Sequence, residues 1–327
     1  MSYRVLISDA KTQTVDHELQ SEVLADYDAT VTSAVTREED ALLELLDGVH
    51  GLISDAGVPV TRRVIETVTE LRVVGRAGIG VDNVDLQAAA EHDITVVHHP
   101  TYCIDEVATH ALSLLLACLR GIKPFEQSTQ SGEWDWTAAA PISRLQGSTL
   151  GLLGFGKVPR RLVTMVQGFG LSIIAHDPYV DDERIRAYNV EPVSFETLCE
   201  RSSLLSIHPA LTPETRGMVD ASALARLSAD AILVNTARGP IIDIDALIDV
   251  LEKGKLSGVG LDVVDPEPPG EHHPLLTFDR VIVTPHAAWY SEASRSTLSH
   301  DIADDVGRVL NGEEPRFPVV RSNDWLG

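Results

Sequence analysis

The chain has 327 residues, enough for one large domain or two of ordinary size, with a substantial buried core in either case. Its 49 acidic residues outnumber 26 basic ones, only five of them lysines, and the net charge of −23 argues against a nucleic-acid partner, because phosphate binding depends on clustered Lys and Arg. The longest apolar stretch, ALSLLLACL at 111–119, falls well short of the roughly 20 residues that a bilayer helix requires, so no membrane partner is expected.

Strands are predicted first at 5–8, 30–35, 51–54, 71–75 and 94–98, all short runs rich in Val, Ile and Thr. Between them, the apolar spacing predicts helices at 17–26, 37–46, 61–68 and 85–92. A long, largely apolar helix at 105–121 follows, placed to cross from one unit to the next. A second series of strands is predicted at 149–153, 171–175, 204–207, 231–235, 257–264 and 280–284, and their near-continuous apolarity suits strands covered on both faces. A last helix at 292–311 is expected to return to the first unit. Alternation of this kind predicts doubly wound parallel sheets. The expected division is therefore a discontinuous outer domain, 1–99 with 288–327, and a continuous central domain, 100–287. The first strand opens the chain with no charged-then-apolar leader. Cys103, Cys118 and Cys199 are odd in number and lack metal-ligand spacing, which suits free thiols and a cytoplasmic location.

The turn GLLGFGKVP at 151–159 places Gly154, Gly156 and Pro159 at the three positions of a GxGxxG pattern. An apolar strand precedes it and the helical segment 157–167, opening with Lys157 and Val158, follows. Asp177 lies 21 residues after Gly156, at the end of the next strand. Glycines allow a pyrophosphate to approach the helix amides, and the carboxylate accepts ribose hydroxyls; it would also repel a 2′-phosphate, so the cofactor expected is NAD. Downstream, Arg238, Glu267 and His286 each follow an apolar run. That order sets a cation, a carboxylate and an imidazole along strand carboxyl ends, where such sheets bind ligands.

The motifs RAGIGVDNVD at 76–85, VNTARGP at 234–240, GLDVVDPEPP at 260–269 and TPHAAWYSE at 284–292, with the glycine turn, resemble those of the D-isomer-specific 2-hydroxyacid dehydrogenases in the same order. Within that family, PHAAWYSEAS at 285–294 and YCIDEVATHALSLLL at 102–116 are similar to the C-terminal binding protein branch, whose animal members are also corepressors. The resemblance implies an α/β fold with two doubly wound parallel-sheet domains: a central Rossmann NAD-binding domain and a flavodoxin-like substrate domain. It implies Arg238, Glu267 and His286 as the catalytic set. It places Asp262 near the nicotinamide amide, Thr236, Ala237, His208 and Thr212 on the cofactor side, and Gly78, Ile79 and Gly80 at the substrate carboxylate. In HPALT at 208–212, Pro209 stands one position earlier than the family's proline. With the apolar helix it also implies a homodimer through the central domains. The surface acidity resembles that of proteins from salt-in archaea.

The expected chemistry is hydride transfer between NAD(H) and a small 2-oxo or 2-hydroxy acid. His286 serves as general acid and base, a role suited to imidazole's near-neutral reference pKa, with Glu267 orienting its ring and Arg238 binding the substrate carboxylate. The alternative is a nonenzymatic NADH-sensing, corepressor-like scaffold. Tyr102 and Trp289 are expected to border an apolar or sulfur-containing substrate side chain. A phosphoglycerate is disfavoured by the absence of an appended regulatory domain and of a basic cluster beyond Arg76. No metal is expected: the pairs His98–His99 and His272–His273 lack carboxylates at ligand spacing and are read as solvated or locally hydrogen bonded, and His110 as a satisfied helix histidine.

Overall fold

The computed structural model describes residues 2–9 and 14–319, in which the chain forms two compact units. One takes the residues up to Cys103 and from Tyr290 onward, and the other is Ile104–Trp289. Residues 320–327, the end of the expected outer domain, lie outside the described residues.

The outer unit alternates β1 (Tyr3–Asp9), α1 (His17–Ala25), β2 (Ala29–Val35), α2 (Glu39–Leu45), β3 (Gly51–Ser54), α3 (Arg62–Thr67), β4 (Val73–Arg76), α4 (Leu86–Glu91) and β5 (Thr95–Val97). Its five strands are parallel in the order β2-β1-β3-β4-β5, the flavodoxin-like arrangement. The period of two along a strand divides the core. Val5 and Ile7 pack with Leu24 of α1 on one face, whereas Leu6 joins Leu42, Leu46 and Ile65 on the other.

The central unit runs α5 (Ile104–Leu119), α6 (Ile122–Gln130), β6 (Thr149–Leu153), α7 (Lys157–Val166), β7 (Ser172–His176), α8 (Asp182–Arg186), β8 (Glu191–Pro192), α9 (Phe195–Arg201), β9 (Leu204–Ile207), α10 (Ala221–Arg226), β10 (Ile232–Asn235), α11 (Ile244–Glu252), β11 (Gly258–Leu261) and β12 (Val281–Val283). All seven strands are parallel in the order β12-β11-β10-β9-β6-β7-β8. Counted from β6 this is the Rossmann order with a seventh strand added, and its direction of winding reverses between β6 and β9. The chain then enters α12 (Glu292–Leu310), which belongs to the outer unit; Leu298, Ile302 and Val306 cover the β1 face there.

Every strand predicted from apolar runs is present, with ends shifted by a few residues. The run at 257–264 is strand only to Leu261, because the buried Asp262 turns the chain into a loop that its own carboxylate organises. The predicted set omits α6, β8 and the helices α8 to α11. α6 has Pro124 in its first turn, where a missing N–H costs nothing, and β8 is a two-residue edge strand containing Pro192. Among the described residues no helix is long and apolar enough to cross a membrane.

Candidate active site

The turn between β6 and α7 is built for close approach. Gly154 sits at φ 85°, a conformation that favours glycine, and a Cβ there would press on the backbone of His208 and Pro209. Gly156 caps α7 without a side-chain hydrogen bond, and the position of its missing Cβ faces open space. Lys157 and Val158 therefore open the helix, and Pro159, the third helical residue, lies within its first turn. At the end of β7, Asp177 is pinned by two main-chain amides: Phe155 donates to Oδ2 at 2.7 Å and Tyr179 to Oδ1 at 2.9 Å.

Beside this turn, three enclosed polar atoms have no partner in the protein: Ser206 Oγ on β9, His208 Nε2 just past it and Thr236 Oγ1 past β10. Desolvation drives His208 down to about 3, so its ring is neutral. Orphaned polar atoms beside an open glycine turn, at the point where strand order reverses, fit the polar groups of a dinucleotide. Thr212 spends its main chain and hydroxyl closing a turn with Thr215.

Arg238, Glu267 and His286 follow β10, β11 and β12, which are neighbours in the sheet. His286 Nδ1 lies 2.8 Å from Glu267 Oε2, which leaves Nε2 as the ring nitrogen available to a ligand. The other oxygen, Glu267 Oε1, accepts from the Val264 amide at 3.2 Å. Burial pushes the Glu267 carboxyl up, but the bond and charge of His286, the Val264 amide and the Arg238 charge outweigh it and hold it below the ordinary glutamate value. Half-buried Arg238 donates from Nη1 to Ala237 O at 2.8 Å. Buried Asn235 fastens that turn from both sides, with Nδ2 donating to Arg238 O at 2.8 Å and Oδ1 accepting from Ala237 N at 2.9 Å.

Asp262 is 2% exposed and gathers the loop that carries His286. Its Oδ1 accepts from Thr284 Oγ1 at 2.5 Å and Ala287 N at 2.9 Å, its Oδ2 from Ala288 N at 2.9 Å, and its main-chain oxygen from His286 N at 2.8 Å. The residue expected near the nicotinamide amide thus also anchors the loop that carries His286. Trp289 ends the same loop and is partly exposed.

Gly78, Ile79, Gly80 and Tyr102 belong to the outer unit. Gly78 takes φ 145°, and a side chain there would overlap Arg76, which is 5% exposed and donates to Ala77 O at 3.0 Å. The loop is tied down by the residues just past β5: His98 Nδ1 is 2.7 Å from Ile79 O, and His99 N donates to Gly78 O at 3.0 Å. Tyr102 sets its ring edge-on to His99 at 5.7 Å, and His99 Nε2 reaches Asp301 at 2.9 Å. Both histidines of that pair are buried and hydrogen bonded rather than solvated. No group of three His, Cys, Asp or Glu able to hold a metal occurs among the described residues.

Sequence reasoning missed Asn235, His98 and Thr284. Asn235 and Thr284 stand inside motifs already singled out, and each acts by bonding a loop that is only formed by the fold.

Residues 112–288 match the family model described as D-isomer specific 2-hydroxyacid dehydrogenase, NAD binding domain. The chain is 38% identical over 299 residues to the D-3-phosphoglycerate dehydrogenase of Methanocaldococcus jannaschii, covering 91% of this chain and 56% of that protein. It thus spans about half the length of the curated relatives it matches. Among solved structures, it resembles a protein from Thermus thermophilus with a TM-score of 0.87 at 31% identity, covering 97% of this chain and 100% of that one. A glyoxylate reductase from Paecilomyes thermophila gives 0.86 at 26% identity, covering 97% and 98%.

Proposed function

The chain belongs to the D-isomer-specific 2-hydroxyacid dehydrogenase family, and on that premise we propose that it interconverts a 2-oxo acid and its D-2-hydroxy acid with NAD. The observation that carries the proposal is the His286–Glu267 pair at 2.8 Å, with Arg238 after a neighbouring strand of the same sheet. When bound, the nicotinamide supplies or accepts the hydride. In the reductive direction His286 gives a proton from Nε2 to the carbonyl oxygen, while Glu267 holds the ring through Nδ1 and stabilises its charged form. Arg238 offers its planar fork to the substrate carboxylate. Asp177, fixed by two amides, favours NAD over NADP by charge.

For the substrate side chain, the ring of Trp289, at the end of the loop that carries His286, supports an apolar or sulfur-containing group. The second reading is D-3-phosphoglycerate, drawn from the Methanocaldococcus jannaschii relative. Against a phosphate stands the sequence itself, which offers no evident basic cluster beyond Arg76.

The test is NADH oxidation, in molar KCl and in dilute buffer, with pyruvate, hydroxypyruvate, glyoxylate, 2-oxoisocaproate, phenylpyruvate, 4-methylthio-2-oxobutyrate and 3-phosphohydroxypyruvate. The apolar and sulfur-containing acids are expected to turn over fastest. The acidic surface is expected to cost activity in dilute buffer. Preference for 3-phosphohydroxypyruvate would decide for the second reading. Folded, NADH-binding protein that reduces none of them would favour the NADH-sensing scaffold.

The assembly proposed is a homodimer through the central unit. The apolar face of α5 is spent inside its own unit, where Ala111, Leu114 and Leu115 are buried. Trp134 and Trp136, just past α6, are instead 85% and 80% exposed, which suits an interface. Sedimentation should give twice the mass of one chain, and the double change Trp134→Ala with Trp136→Ala should halve it; a monomeric unsubstituted protein sinks the proposal.

A further inference from the structure

We propose that His110 is a positioning residue for the catalytic loop, acting on His286 through Thr284 and Asp262; the inference rests on the dehydrogenase reading of that site. His110 stands on α5, with its side chain 25% exposed. Its Nε2 lies 2.9 Å from Thr284 Oγ1 and 3.5 Å from Asp262 Oδ1. The Thr284 hydroxyl is in turn 2.5 Å from that same carboxylate oxygen.

Counting protons gives the direction of each bond. A hydroxyl carries one hydrogen and a carboxylate none, so at 2.5 Å the Thr284 proton points at Asp262. The hydroxyl oxygen then accepts from the imidazole, which requires a hydrogen on His110 Nε2. The chain of donation runs from His110 to Thr284 to Asp262, each link polarising the next.

Asp262 also collects the amides of Ala287 and Ala288 and, through its main-chain oxygen, that of His286. His286 itself adopts φ 55°, uncommon for a residue with a side chain and sustained only where the surroundings over-determine it. His110 gives this loop a fixed reference. The residues around it on α5, Ala108, Ala111, Leu114 and Leu115, are packed in the core of the unit, so the ring ties a soft turn to a rigid helix. Without its N–H, the Thr284 hydroxyl loses its donor and the loop can rotate the His286 ring out of line with the bond it serves.

The full-length protein is tested as His110→Phe and Thr284→Val, which each break the relay, and as His110→Gln and Thr284→Ser, which keep the N–H donor and the hydroxyl. Two readouts are taken: amide hydrogen exchange of the peptide spanning 284–288 without nucleotide, and kcat against KM for the best 2-oxo acid. The Phe and Val variants should exchange faster there and lose kcat by roughly ten- to a hundred-fold, with KM for the 2-oxo acid little changed, as misplacement of a reacting group predicts. The Gln and Ser variants should recover most of both. Native exchange and kcat in His110→Phe overturn the proposal, as does a loss in His110→Gln equal to that in His110→Phe. Should His110→Phe fail to fold, Thr284→Val, a near-isosteric change, carries the same comparison. If the unsubstituted protein reduces no oxo acid, the dehydrogenase reading fails and the exchange measurement alone decides the relay.

Discussion

Replacing His286 by alanine is expected to lower kcat for 2-oxo acid reduction by about a thousand-fold, the middle of the range for a lost general acid, and to leave NADH affinity nearly unchanged. The expectation follows from the division of labour in the site. His286 bonds the protein through Nδ1 and offers Nε2 outward, while the glycine turn and Asp177 lie beyond β6 and β7, on the other side of the strand reversal. Stopped-flow turnover alongside NADH fluorescence titration separates the two quantities. Loss of NADH binding in parallel with kcat would mean that the ring is structural, and undiminished turnover would remove His286 from the chemistry. Glu267→Gln makes a useful companion. Because this carboxyl sits below the ordinary glutamate value, its contribution to stability is complete above that ordinary value and is lost as the pH falls through the lowered one. The acid limb of unfolding should therefore shift upward in the Gln variant.

Arg238→Gln is expected to reduce kcat/KM on the order of a hundred- to a thousand-fold, in both kcat and KM, since the guanidinium binds the ground-state carboxylate and also faces charge developing on the carbonyl oxygen. Arg238→Lys should recover little, because an ammonium cannot reproduce the bidentate fork. The fold itself should survive. The turn loses the Arg238 Nη1 bond to Ala237 O but keeps both bonds from Asn235, whose side chain holds the main chain of Ala237 and Arg238, so circular dichroism and thermal midpoint should stay near those of the unsubstituted protein. A kcat/KM within a few-fold of the original would show that the carboxylate is bound elsewhere.

Much of this architecture is written in local patterns. The strand runs, the return of the last helix and the glycine turn with its spaced acid are all short-range signals, and the parallel sheets and nucleotide turn follow from them. Other elements are absent from the predicted set: α6 and β8, each carrying a proline, and the helices α8 to α11 between the later strands.

What a side chain bonds once the loops close is a different kind of information. Sequence order sets Arg238, Glu267 and His286 after successive apolar runs, and the parallel sheet turns that order into adjacency, because strand ends of one sheet share an edge. Asp262 shows where this reasoning stops. Its motif suggests a cofactor contact, and only the fold shows that its oxygens also accept from Thr284, Ala287 and Ala288, residues more than twenty positions away. His98 and His110 likewise look like ordinary histidines in the chain, and only the fold brings one to the Ile79 carbonyl and the other to the Thr284 hydroxyl. By itself the sequence determined the two α/β units, the dinucleotide turn and the three chemical groups in order, since periodicity and spacing are local. The tertiary structure alone decided which polar groups hold those three in place, because a hydrogen bond depends on separations of about 3 Å that loop closure, not residue order, sets.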